Sequence, residues 1–91
     1  MFTANQLAIL QILTAEPGQT LTMSELGRML DKAPGVFQRG LNALEKSGFV
    51  VSRREANLRL LQVNTSHPLY EAVTAIVRCN SAPLPADVYM G

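Results

Sequence analysis

The chain has no tryptophan, one cysteine, one histidine and little charge, with Asp, Glu, Lys and Arg making up 16% of its 91 residues. A single cysteine excludes an intrachain disulfide. With His67 as the lone histidine, a closed zinc site of the usual Cys/His type within one chain is excluded too, so no metal is expected. No apolar run approaches the roughly 18 residues of a membrane span. "MFTANQLAIL" has neither a basic leader nor a small-residue cleavage site, so a cytoplasmic protein without a secretion signal is expected. There is no glycine-rich phosphate loop, and acids such as Glu45 and Glu55 show no paired arrangement, so neither a cofactor nor catalysis is expected. His67 has no second histidine or cysteine near it in sequence and precedes Pro68, which suits a packing or capping residue. Cys79 reads most simply as a half-buried small apolar residue.

What is present is an apolar fraction of 47%, enough for one core in one domain of this length. Thr3 caps a first helix running to about Thr14, and "EPGQT" ends it with proline and glycine. Its apolar residues Leu7, Ile9, Leu10, Ile12 and Leu13 cover too much of the circumference for burial on one side alone. Either this helix is central to the core or its second face meets another chain. "TLTM" reads as a short extended piece. Thr22 and Glu25 have the spacing of a capping box, which opens a second helix ending at Leu30 with Leu26, Met29 and Leu30 as its apolar stripe. After the turn "DKAP", Pro34 suits the first turn of a third helix and Gly48 the left-handed position that stops it. "FVVSRR" and "LRLLQV" flank "EAN" as a β-hairpin, with Asn57 able to take positive φ in the bend. A last helix over "NTSHPLYEAVTAIVRC", capped by Thr65 or Ser66, turns Leu69, Val73 and Ile76 to one face. One folded unit is expected over residues 1–78, with an extended tail over 79–91 in which Leu84 or Tyr89 could dock.

Charge is unevenly placed. Residues 28 to 59 hold seven cations against three acids, and the rest of the chain holds one cation against four acids. Such clustering is a modest electrostatic footprint for nucleic acid, although a solvated surface would also carry it. On the third helix, Leu41 and Leu44 lie within about 40° of Phe37, at about 100° per residue. Gln38, Arg39, Asn42 and Lys46 lie about 100° to 200° away from it, on a face without an acid; Glu45 stands at its margin. Amides and guanidinium groups match the donor and acceptor pattern of base edges in a major groove.

"SELGRMLDKAPGVFQRGLNALEKSGFV" resembles the recognition unit of winged helix-turn-helix transcription regulators of the ArsR and MarR kind: a "Leu-small-x-x-Leu" helix, then "Leu-x-x-Leu-x-x-x-Gly-Φ-V" and a wing. Gly27 is the small residue where the two helices approach. "LLQVNTSHPLYEAVTAIV" is also similar to regulators whose wing returns into an "N-x-x-HPL" segment, some of them joined to nucleotidyltransferase domains. The likeness spans roughly residues 3 to 78. It implies a mainly α fold with a small β-hairpin: a three-helix core, a wing and a C-terminal helix. It departs from the pattern at Asp31 and Lys32, where many such turns have glycine, and at Ala33, Pro34 and Gly35, where Ser/Thr-rich caps are common. The cysteine-rich metal sites of ArsR sensors have no counterpart.

The resemblance implies sequence-specific binding of double-stranded DNA by a bacterial or archaeal transcription regulator, with a nucleotidyltransferase or other operon product as a further partner. Gln38, Arg39 and Asn42 are then expected to read bases, while Lys46, Arg53, Arg54 and Arg59 hold phosphates, Arg59 being favoured slightly over Arg54. One winged unit makes few contacts, so a homodimer is expected, with Phe2, Ile9, Ile12, Tyr70 and Val77 at its interface, unless these residues complete the chain's own core. The alternative is a winged-helix protein-interaction module without DNA binding. Its sign would be apolar exposure on the third helix or the wing, for which Val36 and Leu58 are the candidates.

Overall fold

The computed structural model of the chain describes residues 2–81. Its elements are α1 (Ala4–Ala15), β1 (Leu21–Thr22), α2 (Met23–Leu30), α3 (Pro34–Lys46), β2 (Val50–Glu55), β3 (Leu58–Val63) and α4 (Tyr70–Ser81). The strands form one antiparallel sheet in the order β1-β3-β2, with Leu21 opposite Leu61 and Val50 opposite Val63. Within "TLTM", Leu21 and Thr22 therefore form a third strand beside the hairpin while Met23 already opens α2, which ties the front of α2 to the wing.

Each helix starts and stops for a local reason. Thr3 and Gln6 form one capping box and Thr22 and Glu25 another, each satisfying amide groups that the first helical turn leaves unpaired. Asp31, at φ 56°, takes the left-handed position that ends α2, where its N–H bonds the Arg28 carbonyl and that of Lys32 bonds Gly27. A short polar side chain tolerates this conformation, which accounts for the missing glycine. Gly48, at φ 85°, ends α3 in the same pattern, with the Phe49 N–H on the Leu44 carbonyl.

α1 packs against α2, α3, α4 and β3, so its broad apolar surface belongs to the core of this chain. The core consists of Ile9, Leu10, Leu13, Leu21, Leu26, Phe37, Leu41, Leu44, Val50, Leu61, Val63, Val73 and Val77. Two glycines are read by their surroundings. A Cβ on Gly40 would meet Gln6 Cγ at 3.1 Å, so close packing of α3 on α1 explains this residue in mid-helix. A Cβ on Gly27 would lie 2.9 Å from the Lys32 carbonyl oxygen, with the Phe37 ring 3.6 Å away. Helix propensity alone would make Gly27→Ala stabilising by roughly 1 kcal/mol. The backbone clash reverses the sign, and urea unfolding is expected to show a net loss of about 1 kcal/mol or more.

Several expectations are corrected. Positive φ falls on Ala56, not Asn57: the loop has two residues, with Glu55 opposite Leu58, and only the first has positive φ. Met29 and Leu69 are exposed, because α2 turns Leu26 and Gly27 inward, with Met23 and Leu30 half-buried beside them, and Leu69 precedes α4. Val77, not Leu69, completes the buried stripe of α4 with Val73. Neither Thr65 nor Ser66 caps α4. His67 Nδ1 accepts the Leu69 N–H at 3.0 Å, its Nε2 lies 3.1 Å from the Ser47 carbonyl, and its ring stacks on Phe49 at 4.1 Å. An Nδ1 that accepts leaves Nε2 to carry the proton, so His67 joins the end of α3 to the start of α4. Cys79 is exposed, and α4 continues through residues 79–81, which were expected to open the tail. Leu84 and Tyr89 lie outside the described residues.

Candidate nucleic-acid interface

Phe37, Leu41 and Leu44 are almost completely buried, which anchors α3 by one face. Burial of one face fixes the opposite one in solvent, and Gln38, Arg39, Asn42 and Lys46 are all exposed there. The α1 side of α3 is held by polar contacts: Gln6 Nε2 donates to the Gly40 carbonyl at 3.3 Å and Asn5 Nδ2 to the Val36 carbonyl at 3.3 Å. Lys32 Nζ donates to Asn5 Oδ1 at 2.6 Å, so the turn between α2 and α3 is also tied to α1.

The wing meets the other side of α3. Side chains alternate across a strand, so Val50, Ser52 and Arg54 share the face of β2 turned toward the helices, opposite Val63, Leu61 and Arg59 of β3. Arg53 stands on the outer face and pairs with Glu55 at 3.2 Å, both well exposed. Arg59 is only 21% exposed in its side chain and pairs with Glu45 at 3.1 Å. The same Nη2 donates to Asn42 Oδ1 at 3.2 Å, and the Ser52 hydroxyl donates to Glu45 at 2.5 Å. The two wing arginines therefore differ in their partners. The charge of Arg59 is already matched by Glu45 of α3, whereas Arg54 is exposed and, among the described residues, has no ion pair. Arg39 and Lys46 likewise have none there.

Glu45 and Ser52 were not expected at the site. Glu45 stood at the margin of the cationic face by angle, but its partner became definite only when β3 returned alongside α3. The Ser52 hydrogen bond holds the Glu45 carboxyl below the ordinary glutamate value of 4.5; partial burial opposes this, and Arg59 adds to the lowering. A lowered folded-state pKa contributes stability above the unfolded value that is lost as pH falls through the folded one. Glu45→Gln should therefore be less stable than the parent at pH 7, with the gap closing on acidification below pH 4.5. Thermal melts at both ends check this. A gap of equal size in acid would mean that the Glu45 charge contributes nothing.

The expected dimer residues divide. Ile9 and Val77 are buried inside the chain, at 0% and 3% exposure, as members of the core on which α1 and α4 pack together. Phe2, Ile12 and Tyr70 are half-buried against the core, Phe2 meeting Phe49 edge to face at 5.6 Å. Apolar exposure is found at Val36 (57%) and Leu58 (54%), and also at Val51 and Met29. Among the described residues there is no group of His, Cys, Asp and Glu fit to hold a metal ion, and no helix is long and apolar enough to cross a membrane.

The MarR family model matches residues 2–57, from the start of α1 to the tip of the wing. Among solved structures, the chain is similar to reduced HlyU from Vibrio cholerae N16961, with 20% identity over 88% of this chain and 80% of that one, at a TM-score of 0.70. It is similar to a single-residue variant of MepR from S. aureus bound to an oligodeoxyribonucleotide, with 20% identity over 97% and 71% of the two chains and a TM-score of 0.68. A third likeness is to reduced AbfR bound to DNA, with 24% identity, 98% and 65% coverage and a TM-score of 0.68. At these identities the likenesses show the winged-helix fold. No curated protein matches by sequence.

Proposed function

Because this chain belongs to the MarR family of winged-helix transcription regulators, we propose that it binds double-stranded DNA in a sequence-specific manner as a bacterial or archaeal regulator. The observation that carries this reading is the acid-free outer face of α3, held in solvent by the buried Phe37, Leu41 and Leu44 behind it. Gln38, Arg39 and Asn42 read base edges from that face. Lys46 and Arg54 hold phosphates on either side of it, with Arg53 as an outlying contact that must first leave Glu55. Arg59 belongs to the support of the site.

The regulator acts as a dimer, since two recognition helices double the contacts and set a half-site spacing. Phe2, Ile12 and Tyr70 retain partial exposure for such an interface. A cytoplasmic location goes with this reading, while a nucleotidyltransferase partner rests on sequence resemblance alone. The family and fold are those of transcription regulators, and catalysis has no place in the proposal.

Selection from a random duplex pool, followed by titration of the winning and a scrambled duplex against salt, tests it. An enriched motif with inverted half-sites and a steep salt slope is expected. Equal, feeble binding to both duplexes would favour the interaction module, which the exposed Val36, Val51 and Leu58 support.

A further inference from the structure

Arg59 constrains a side chain other than its ion-pair partner. Its Nη2 donates to both Glu45 oxygens, at 3.2 and 3.1 Å, and to Asn42 Oδ1 at 3.2 Å, while Ser52 from the neighbouring strand holds Glu45 in place. A guanidinium has five donors and no acceptor. The Asn42 oxygen must therefore face Arg59, and its amino group must face away from the wing. Turning the amide over would set an N–H against a cation. A solvated asparagine on a helix has no such preference and offers a donor or an acceptor to whatever approaches.

Resting on the reading of α3 as the helix that meets bases, we propose that Arg59 is a positioning residue for sequence choice: it presents Asn42 to the major groove as a hydrogen-bond donor, and the base contacted by Asn42 is selected against cytosine. In that groove guanine shows acceptors at N7 and O6, adenine at N7 and thymine at O4, whereas cytosine shows only the N4 amino donor. The Asn42 amino group finds an acceptor on three bases and a second donor on the fourth. Glu45 serves the same end, because a neutralised Arg59 is not drawn away to a phosphate. Ser52 holds the carboxylate that does this. The wing then acts on specificity through α3 as well as on affinity through its own cations.

The test uses the full chain in selections from a random duplex pool, comparing the parent with Asn42→Ala and Arg59→Met. The parent should deplete cytosine about tenfold at one motif position, within the range of a single base contact. Asn42→Ala abolishes that depletion and so identifies the position. Arg59→Met should reduce it below about twofold at the same position and leave the other positions as they were. An Arg59→Met variant that keeps the parent's preferences, or one that weakens all duplexes equally with a salt slope shallower by about one, as the loss of a phosphate contact would, overturns the proposal.

A measurement without DNA separates this failure from that of the DNA reading. The Asn42 side-chain amide should be ordered in the parent and lose that order in Arg59→Met, its NMR order parameter falling below about 0.6. Unchanged order rejects the positioning role whatever the selection gives. Ordered Asn42 in a parent that enriches no motif places the failure in the DNA reading, and the specificity claim falls with it. Should Arg59→Met not fold, Glu45→Gln decides, since it loosens Arg59 without removing it and should lower both the amide order and the cytosine depletion.

Discussion

Phe37→Ala should lower the unfolding free energy by about 3–5 kcal/mol, the range for truncating a fully buried aromatic ring. Phe37 is at 0% exposure on α3, and its ring edge lies where Gly27 brings α2 closest. A domain of this length has a total stability on the order of 5–14 kcal/mol, so the substitution removes about a fifth of it or more. The melting temperature should fall by roughly 15 °C or more, read by circular dichroism. Val36→Ala, one residue earlier and 57% exposed, should stay within about 0.5 kcal/mol of the parent. If the two variants lost similar amounts, α3 would not be anchored by the face described.

Arg39→Ala should cost about 5- to 150-fold in affinity for the selected duplex and little on a scrambled one, the mark of a lost base contact. Arg39 is exposed on the outer face of α3, and among the described residues no acid pairs with it, so its donors are free for a base edge. Arg54→Ala is the contrasting case. It should weaken both duplexes by a similar factor and reduce the salt slope by about one, as a phosphate contact does. Titrations of both variants at several salt concentrations separate the two signatures. A uniform loss for Arg39→Ala would move that residue to the phosphate-holding set and leave Gln38 and Asn42 as base readers.

Much of the site was legible because it depends on local rules. Phe37, Leu41 and Leu44 recur at helical spacing, so their burial and the exposure of Gln38, Arg39, Asn42 and Lys46 follow from one periodicity. The Thr22 and Glu25 capping box and the Gly48 stop are likewise contacts within a few residues. Less legible were places where two local solutions compete. Ala56 and Asn57 share a two-residue loop, and the choice of the residue with positive φ depends on the twist of both strands, not on asparagine's own tolerance. The start of α4 depended on His67, whose cap is fixed by partners at Phe49 and Ser47 from a different element.

By itself, then, the sequence determined the number and kind of the helices, the wing, the core face of the recognition helix and the family to which its pattern is similar. Tertiary structure alone decided that Ile9 and Val77 close the core of this chain, because the circumference of α1 is filled by α2, α3, α4 and β3 together. It alone decided that "TLTM" joins the sheet through Leu61. It also decided that Arg59 is matched by Glu45 while Arg54 has no ion pair among the described residues. Periodicity assigns a residue to a face, but the charge that faces it there comes from a segment fourteen residues away in sequence, and only the register of the wing against α3 brings the two together.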